Sequence, residues 1–399
     1  MPTKYAIILM DGAADEPTDA LEGRTPLQAA AIPHTDDIVA QGRIGTVRTV
    51  PDGFAPGSDV ATMSLLGYDV RRHYTGRAPL EAVARNIQLR PEEVVFRCNL
   101  VTITGGEMTD FTAGHIHSAE AEQIIHALND AFPESAGVRF YTGVSYRHLM
   151  VINDAETLDA VCMPPHDIPG EPVSGYLPKG KGARHIRQIM DRAQQVVADH
   201  DVNLVRHDLG EAPATGIWLW GQGVMPILRR FRQRFGVRGS VIAAVDLIRG
   251  LGKLLGWPII EVPGATGYLD TDYAAKGAAA VEALEQYDLV TVHIEAPDEA
   301  GHMGDAAAKV EAIEQIDRHI VGPVLEELRS FDRWRMLVAP DHPTPVGLRT
   351  HTSDPPPFCI AGTDVPRGLA QAAFTEEMAA KSDFHVEQGH ELMDHFLRR

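Results

Sequence analysis

Six side chains of the 399-residue chain have the chemistry of metal ligands and fall at comparable places in the sequence pattern. Asp11 follows the apolar run Tyr5–Met10. Asp298 and His302 follow the apolar run Leu289–Ile294. Asp341 and His342 follow Met336–Val338, and His351 stands nine residues beyond His342. Three Asp and three His with no Cys among them make an oxygen and nitrogen donor set, which suits Mn²⁺, Zn²⁺ or Mg²⁺ rather than a thiolate-bound structural zinc. Six ligands exceed what one tetrahedral ion uses, so the count points to two ions. Taken singly, each residue also has a structural reading. Asp298 could cap a helix, Asp341-His342-Pro343 could form a turn, and a lone His is commonly an ordinary surface or core side chain.

A nucleophile stands in Pro56-Gly57-Ser58-Asp59, just before the short apolar segment Val60–Leu66, which reads as the start of a helix. Ser58 then sits where backbone N–H groups and the helix dipole favour an anion. A serine hydroxyl is weak at neutral pH, but a nearby divalent ion lowers its pKa enough to make it usable. Serine is also a preferred N-cap and Pro-Gly-Ser-Asp is good turn chemistry, so capping alone would account for it. Other motifs carry less. Pro178–Gly182 lacks the spacing of a phosphate loop, Gly221-Gln222-Gly223 lacks the third glycine of a dinucleotide fingerprint, and Gly250, Gly252 and Gly256 read as close-packing positions.

These residues need a scaffold that brings strand ends together. Tyr5–Met10, Trp218–Trp220, Val241–Ala244, Ile259–Val262, Leu289–Ile294 and Met336–Val338 read as buried strands. Between the last two, Val310, Ile313, Ile316, Ile320, Val324 and Leu328 recur at helical spacing over 305–329, which makes a βαβ unit and predicts a parallel sheet. Residues just past the carboxyl ends of parallel strands share one crevice, so the six candidate ligands can converge. From Arg77 to Lys181 the texture changes to short alternating segments (Phe96–Thr104, Val138–Tyr141, His148–Ile152) with one helix pattern, Ala119–Leu128, as in a smaller α+β module. The expected organisation is therefore a core of residues 1–76 and 183–399 interrupted by an insertion, 77–182.

Composition sets outer bounds. Lys plus Arg number 36 and Asp plus Glu 55, a net charge of −19 that argues against a nucleic-acid or basic membrane-surface partner. It leaves room for a small anionic substrate held by local positive charge. Three widely spaced cysteines without a CxxC fit reduced thiols, and hence a cytoplasmic setting. The apolar run near the N-terminus is too short for a signal-peptide core, and no run approaches the ~20 residues that span a bilayer.

The chain resembles the archaeal-type 2,3-bisphosphoglycerate-independent phosphoglycerate mutases of the alkaline phosphatase superfamily. The resemblance runs nearly end to end. It is carried by LMDGAAD (9–15), RTPLQAA (24–30), PGSDVATMSLLGYD (56–69), GRAPLEA (76–82), RCNLVT (97–102), GVSYRHLMV (143–151), VPGATGYLDTDY (262–273), HIEAPDEAGHMGD (293–305), APDHPTP (339–345) and RTHTSDPPPF (349–358). It implies an α/β fold: an alkaline-phosphatase-like parallel-sheet core flanked by helices, with an inserted smaller α+β domain. It also implies two divalent ions, Mn²⁺ or Zn²⁺ with Mg²⁺ also compatible. One would be held by Asp298, His302 and His351, the other by Asp11, Ser58, Asp341 and His342. Ser58 would accept the phosphoryl group of phosphoglycerate. Pro356 departs from the Val usual in the family, next to the loop carrying His351, and removes no ligand.

A mutase must retain the glycerate and exclude water while the phosphoryl group waits on the enzyme. The insertion is the natural lid under this resemblance. Arg77, Arg97, Arg147 and His148 are candidates for carboxylate or phosphate contacts, since guanidinium groups match both bidentately. His115 and His117 could handle protons on the glycerate hydroxyls, and Lys253 is a further candidate. Surface salt bridges and strand-end polar residues account equally well for these side chains. Two other activities stay open at this level. Some bacterial relatives have been proposed as homoserine kinases, and Trp218–Gly223 and Ala244–Arg249 look like that subgroup, although no nucleotide-binding signature accompanies them. A metal-dependent phosphomonoesterase would arise if the lid admitted water.

Overall fold

The computed structural model of the chain describes residues 3–368 and 373–397, so Met1 and Pro2 of the N-terminal stretch lie outside it. The chain divides into two compact units, Met1–Tyr74 with Ile227–Arg399, and Thr75–Pro226. Among the described residues no helix is long and apolar enough to cross a membrane.

The first unit is built on a seven-stranded sheet whose strands in chain order are β1 (Lys4–Met10), β2 (Arg43–Val47), β3 (Gly239–Ile242), β4 (Leu289–Ile294), β5 (Trp334–Ala339), β6 (Pro357–Gly362) and β7 (His385–Val386). They lie in the order β3-β4-β1-β5-β6-β2-β7. β3, β4, β1 and β5 run parallel, whereas β6 is antiparallel to both β5 and β2. Every residue of β1 and of β4 is buried, as expected of strands covered on both faces. In β1 the alternate residues Ala6, Ile8 and Met10 pack into one core with Val290, Val292 and Ile294 of β4. Met10 is opposite Ile294 and Leu9 opposite Ala339, so the chain leaves three adjacent strands at one edge of the sheet.

The helical pattern over 305–329 forms as Ala306–Ile316 and Gly322–Leu328, joined by a π-helical turn at Asp317–Val321. Asp305 caps its start by accepting from Ala308 N at 3.0 Å. Asp317, buried where the helix widens, accepts from Thr35 N at 2.8 Å and Thr35 Oγ1 at 2.6 Å. Ile313, Ile316 and Ile320 face the same core as β1. The segment Ile259–Val262 makes only a single bridge, Val241 to Ile259, rather than a full strand.

The second unit is α+β. The long strand Val94–Thr104 pairs antiparallel with Arg147–Ile152, with Glu107–Asp110 and with Gly216–Gly223, and Val138–Val144 extends the sheet. Ser118–Ala131 and Ala183–Ala198 bury Ile124, Leu128, Ile186, Ile189 and Val197 in the same core as Phe96 and Trp218. The expected boundary near residue 182 therefore moves to Pro226. Likewise the Trp218–Trp220 strand, expected in the parallel sheet, belongs to this antiparallel one. Both corrections have one cause: Asn99 pairs with Trp218 and Arg97 with Trp220, which carries residues 183–226 into this unit.

Candidate functional site

The expected ligands come together at the carboxyl edge of the parallel strands, all within the first unit. Asp11 is the first residue after β1, Asp298 and His302 lie in the helix Ala296–Met303 that follows β4, and Asp341 and His342 follow β5. Asp298 and His302 stand one helical turn apart and share a face, with His302 Nε2 3.2 Å from Asp298 Oδ2. His351 Nε2 lies 3.4 Å from Asp298 Oδ1 and 3.0 Å from His302 Nε2. The other nitrogens are occupied: His302 Nδ1 is 3.1 Å from the Arg349 carbonyl and His351 Nδ1 is 3.3 Å from that of Pro56. Those backbone contacts orient the Nε2 atoms toward the carboxylate.

Ser58 is the first residue of the helix Ser58–Leu65 and is buried. Its Oγ donates to Asp11 Oδ2 at 3.1 Å and lies 3.3 Å from His342 Nε2. His342 Nε2 is in turn 3.4 Å from Asp11 Oδ1 and 3.8 Å from Asp341 Oδ2. Asp341 Oδ1 accepts from Gly12 N at 3.2 Å. Gly12 has φ +63°, and a Cβ there would stand 2.6 Å from both Asp298 Oδ1 and Thr344 Oγ1, so only glycine lets these groups close on each other. The His342 and His351 rings, with centroids 4.2 Å apart, join the two clusters.

The charges around this edge are poorly balanced by the protein itself. Burial pushes the Asp11 carboxyl well above its ordinary range, and the neighbouring Asp341, Glu295 and Asp298 push it further. Burial opposes ionisation of Asp298 too, yet hydrogen bonds from His302 and His351 hold it well below the usual carboxylate range. The same pairing lifts His302 to about 9. Burial lowers His342, leaving a neutral ring. Crowded carboxylates beside imidazoles in one place are the donor set of a divalent cation, which would displace the proton that His302 holds here. Three groups have ligand atoms close enough to share one ion: Asp298, His342 and His351; Asp11, Asp341 and His342; and Asp11, His293 and Glu295.

His293 and Glu295 of that third group are absent from the sequence-based set. His293 lies inside the apolar run of β4, where a strand reading treats it as one more buried position. Its Nε2 is 3.2 Å from Asp11 Oδ2 without hydrogen-bonding geometry. The run His293-Ile294-Glu295, placing two polar side chains on one strand face as the strand ends, was the available signal. Thr344 was missed as well; its hydroxyl donates to Asp298 Oδ1 at 2.5 Å.

The proposed substrate contacts fall mostly in the second unit. Arg97 Nε is 3.1 Å and Arg77 Nε 3.4 Å from the buried carboxylate of Glu81. Arg97 also stacks 4.3 Å from the Trp220 ring, and burial lowers its guanidinium to about 10. Arg147 lies over Tyr146, whose ring is 6.4 Å from that of His115. His115 closes a run of three residues, Ala113, Gly114 and His115, with φ of +49°, +64° and +50°. Left-handed backbone at non-glycine residues is the kind of strain that concentrates at working sites. His117 is the N-cap residue of Ser118–Ala131, its N–H donating to Glu120 at 3.2 Å. Lys253 is in the first unit, in the last turn of Asp246–Leu255, with its charge near Glu261.

His148 does not fit the role expected of it. It is 1% exposed, because its register opposite Cys98 turns it into the core of the second unit, and its Nδ1 accepts from Gly143 N at 3.0 Å. Burial lowers its pKa from 6.5 to about 3. Its folded value lies below its unfolded one, so the unfolded chain binds the extra proton. Stability from this residue is present above about pH 6.5 and is lost as pH falls toward 3. In urea unfolding this residue should contribute a loss of about 1.4 kcal/mol per pH unit in that window. His148→Asn, which keeps an acceptor for Gly143, should lower the measured slope by about that amount; an unchanged slope would contradict this assignment.

A family model described as 2,3-bisphosphoglycerate-independent phosphoglycerate mutase matches residues 40–203. The 2,3-bisphosphoglycerate-independent phosphoglycerate mutase of Methanothrix thermoacetophila is 51% identical over 391 residues, 98% of each chain. The probable enzyme of that name in Geobacter sulfurreducens is 46% identical, covering 99% of this chain and 100% of the relative. Among solved structures, a Pyrococcus horikoshii protein superposes with a TM-score of 0.84 at 26% identity, over 100% of this chain and 97% of the other. The cofactor-independent phosphoglycerate mutase of Thermoplasma acidophilum superposes with a TM-score of 0.66 at 25% identity, over 100% of this chain and 99% of that one.

Proposed function

The chain belongs to the 2,3-bisphosphoglycerate-independent phosphoglycerate mutase family and is an isomerase of phosphoglycerate, and from that premise we propose that Ser58 carries the phosphoryl group between the two hydroxyls of glycerate. The observation that carries this reading is the position of the Ser58 hydroxyl at the start of a helix, 3.1 Å from Asp11 and 3.3 Å from His342, beside Asp298, His302, Asp341 and His351. Asp298, His302 and His351 would hold one divalent ion, and Asp11, Ser58, Asp341 and His342 a second. Mn²⁺ and Zn²⁺ suit this mixture of carboxylate and imidazole best, and Mg²⁺ is compatible with its oxygens. Bound there, the ions would neutralise phosphate charge and make the serine hydroxyl easier to ionise.

The protein groups then have defined tasks. Asp11 Oδ2 receives the hydrogen bond from Ser58 Oγ and is placed to hold that proton as Oγ attacks phosphorus. The Oγ–P bond forms as the bond from phosphorus to the 3-oxygen breaks, and the released oxygen takes a proton from the His115 and His117 pair. After the glycerate turns, its 2-hydroxyl returns a proton to that pair as its oxygen attacks the phosphoserine, the P–Oγ bond breaks, and Ser58 regains its proton from Asp11. The backbone N–H groups at the head of the Ser58–Leu65 helix favour the anion throughout. We assign the carboxylate and phosphate contacts of the substrate to Arg77, Arg97 and Arg147. His115 and His117 are assigned to proton handling on the glycerate hydroxyls, and Lys253 to a further contact. Glu81 and Trp220 preorganise Arg97, which lowers the entropy lost on binding.

The test is an enolase-coupled assay on the Mn²⁺-loaded chain with 3-phosphoglycerate, run beside ATP plus homoserine and beside inorganic phosphate release. We expect 2-phosphoglycerate as the dominant product. Phosphohomoserine, or phosphate released faster than the isomer, would overturn the proposal.

A further inference from the structure

The two ligand clusters meet at one hydroxyl. Thr344 is buried two residues beyond His342, its Oγ1 2.5 Å from Asp298 Oδ1 and 3.3 Å from His342 Nδ1. A threonine hydroxyl has one proton to give and lone pairs to receive with. The Asp298 carboxylate only accepts, so the proton is directed to Oδ1. The lone pairs then face His342 Nδ1, and a hydrogen on that nitrogen satisfies them. In a neutral ring this leaves Nε2 unprotonated, and Nε2 is the nitrogen facing Ser58 Oγ at 3.3 Å and Asp11 Oδ1 at 3.4 Å.

The backbone around this hydroxyl is fixed independently of the ligands. Thr344 N donates to the Ala14 carbonyl at 3.2 Å. The Thr344 carbonyl accepts at 2.8 Å from Lys309 Nζ, which is fully buried and paired with Asp15 at 2.6 Å. Val346 N donates to the same Asp15 carboxylate at 3.1 Å. Gly301 lets the Ala296–Met303 helix approach so closely that a Cβ there would strike the Thr344 carbonyl. The loop that follows β5 is thus clamped to the residues after β1, and Thr344 has little freedom to point its hydroxyl elsewhere.

We propose that Thr344 is a positioning residue that joins the two ligand clusters, orienting the Asp298 carboxylate with its proton and setting the His342 tautomer with its lone pair. It rests on the reading of Asp298 and His342 as ligands, one from each cluster. A partner that orients a ligand in this way is generally worth about 10–100-fold in metal affinity.

Calorimetric titration of Mn²⁺ into the chelator-treated full-length chain tests this, comparing wild type, Thr344→Val, which keeps the shape and loses the hydroxyl, and Thr344→Ser, which keeps the hydroxyl. Thr344→Ala serves as a second hydroxyl-free variant should the valine fail to fold, and urea unfolding without metal reports on folding itself. The expected result is two ions in wild type, both weakened about 10–100-fold in Thr344→Val or Thr344→Ala, and near-wild-type binding in Thr344→Ser. Wild-type affinity in the hydroxyl-free variants would overturn the proposal. So would weakening of one ion only, or an equal loss in the serine variant. A wild-type chain that binds no Mn²⁺ would sink the ligand reading and this proposal with it, whereas two wild-type sites indifferent to Thr344 would sink this proposal alone.

Discussion

Ser58→Ala is expected to lower conversion of 3- to 2-phosphoglycerate by about 10⁴-fold or more, the scale seen when a covalent nucleophile is removed from an enzyme that needs it. The reasoning follows from what the side chain touches. Ser58 Oγ makes one close contact with a carboxylate and one with an imidazole, and both partners stay in place without it. Among the described residues the hydrogen bonds of that hydroxyl go to Asp11 and His342 rather than to Asp298, His302 or His351, so at least one ion should still bind in the variant. Helix Ser58–Leu65 should survive, because Gly57 precedes it and the Ser58 side chain does not cap it. The expected phenotype is therefore a folded, metal-binding chain with an intact fluorescence and unfolding profile and almost no isomerase turnover. Turnover within about tenfold of wild type would mean that another group accepts the phosphoryl, or that water does.

The second large effect is expected from Asp298→Asn. This carboxylate is shared by His302 Nε2 at 3.2 Å, His351 Nε2 at 3.4 Å and the Thr344 hydroxyl at 2.5 Å. Replacing one carboxylate oxygen by an amide removes the charge and presents a donor where only acceptors serve. The pKa of His302, raised to about 9 chiefly by its hydrogen bond to Asp298, should then fall back toward 6.5. Elemental analysis should find one ion fewer than in wild type. Turnover should drop by more than the ~100-fold that loss of a supporting partner can cost. Retention of both ions with near-wild-type turnover would show that Asp298 is a structural carboxylate and no ligand.

Much of the first unit could be read from residue order because apolar runs such as Tyr5–Met10 and Leu289–Ile294 are continuous. That pattern belongs to strands buried on both faces, hence to parallel neighbours, and parallel neighbours deliver Asp11, Asp298 and Asp341 to one edge. His302, like Asp298, followed from its place just beyond the apolar run Leu289–Ile294, and Ser58 from its place at the start of a short apolar segment that reads as a helix. His293 escaped because its partner Asp11 follows another strand, and a lone His inside an apolar run has no periodic signature. Thr344 escaped because a hydroxyl after Asp341-His342-Pro343 is ordinary turn chemistry until its two partners are in view. The end of the insertion was misplaced at residue 182 because no change of composition marks Pro226. Only the pairing of Gly216–Gly223 with Val94–Thr104, far away in the chain, reveals it. His148 opens the alternating segment His148–Ile152, which alone does not say which face it takes, and only the register opposite Cys98 turns it inward.

Mass spectrometry of the enzyme, acid-quenched within milliseconds of mixing with 3-phosphoglycerate and then digested, would bear most directly on the phosphoryl transfer. A phosphate on the peptide containing Ser58, absent when 3-phosphoglycerate is omitted and absent in Ser58→Ala, is the predicted result. A chain that turns over substrate while Ser58 stays unmodified, or that carries the phosphate on a histidine instead, would contradict it.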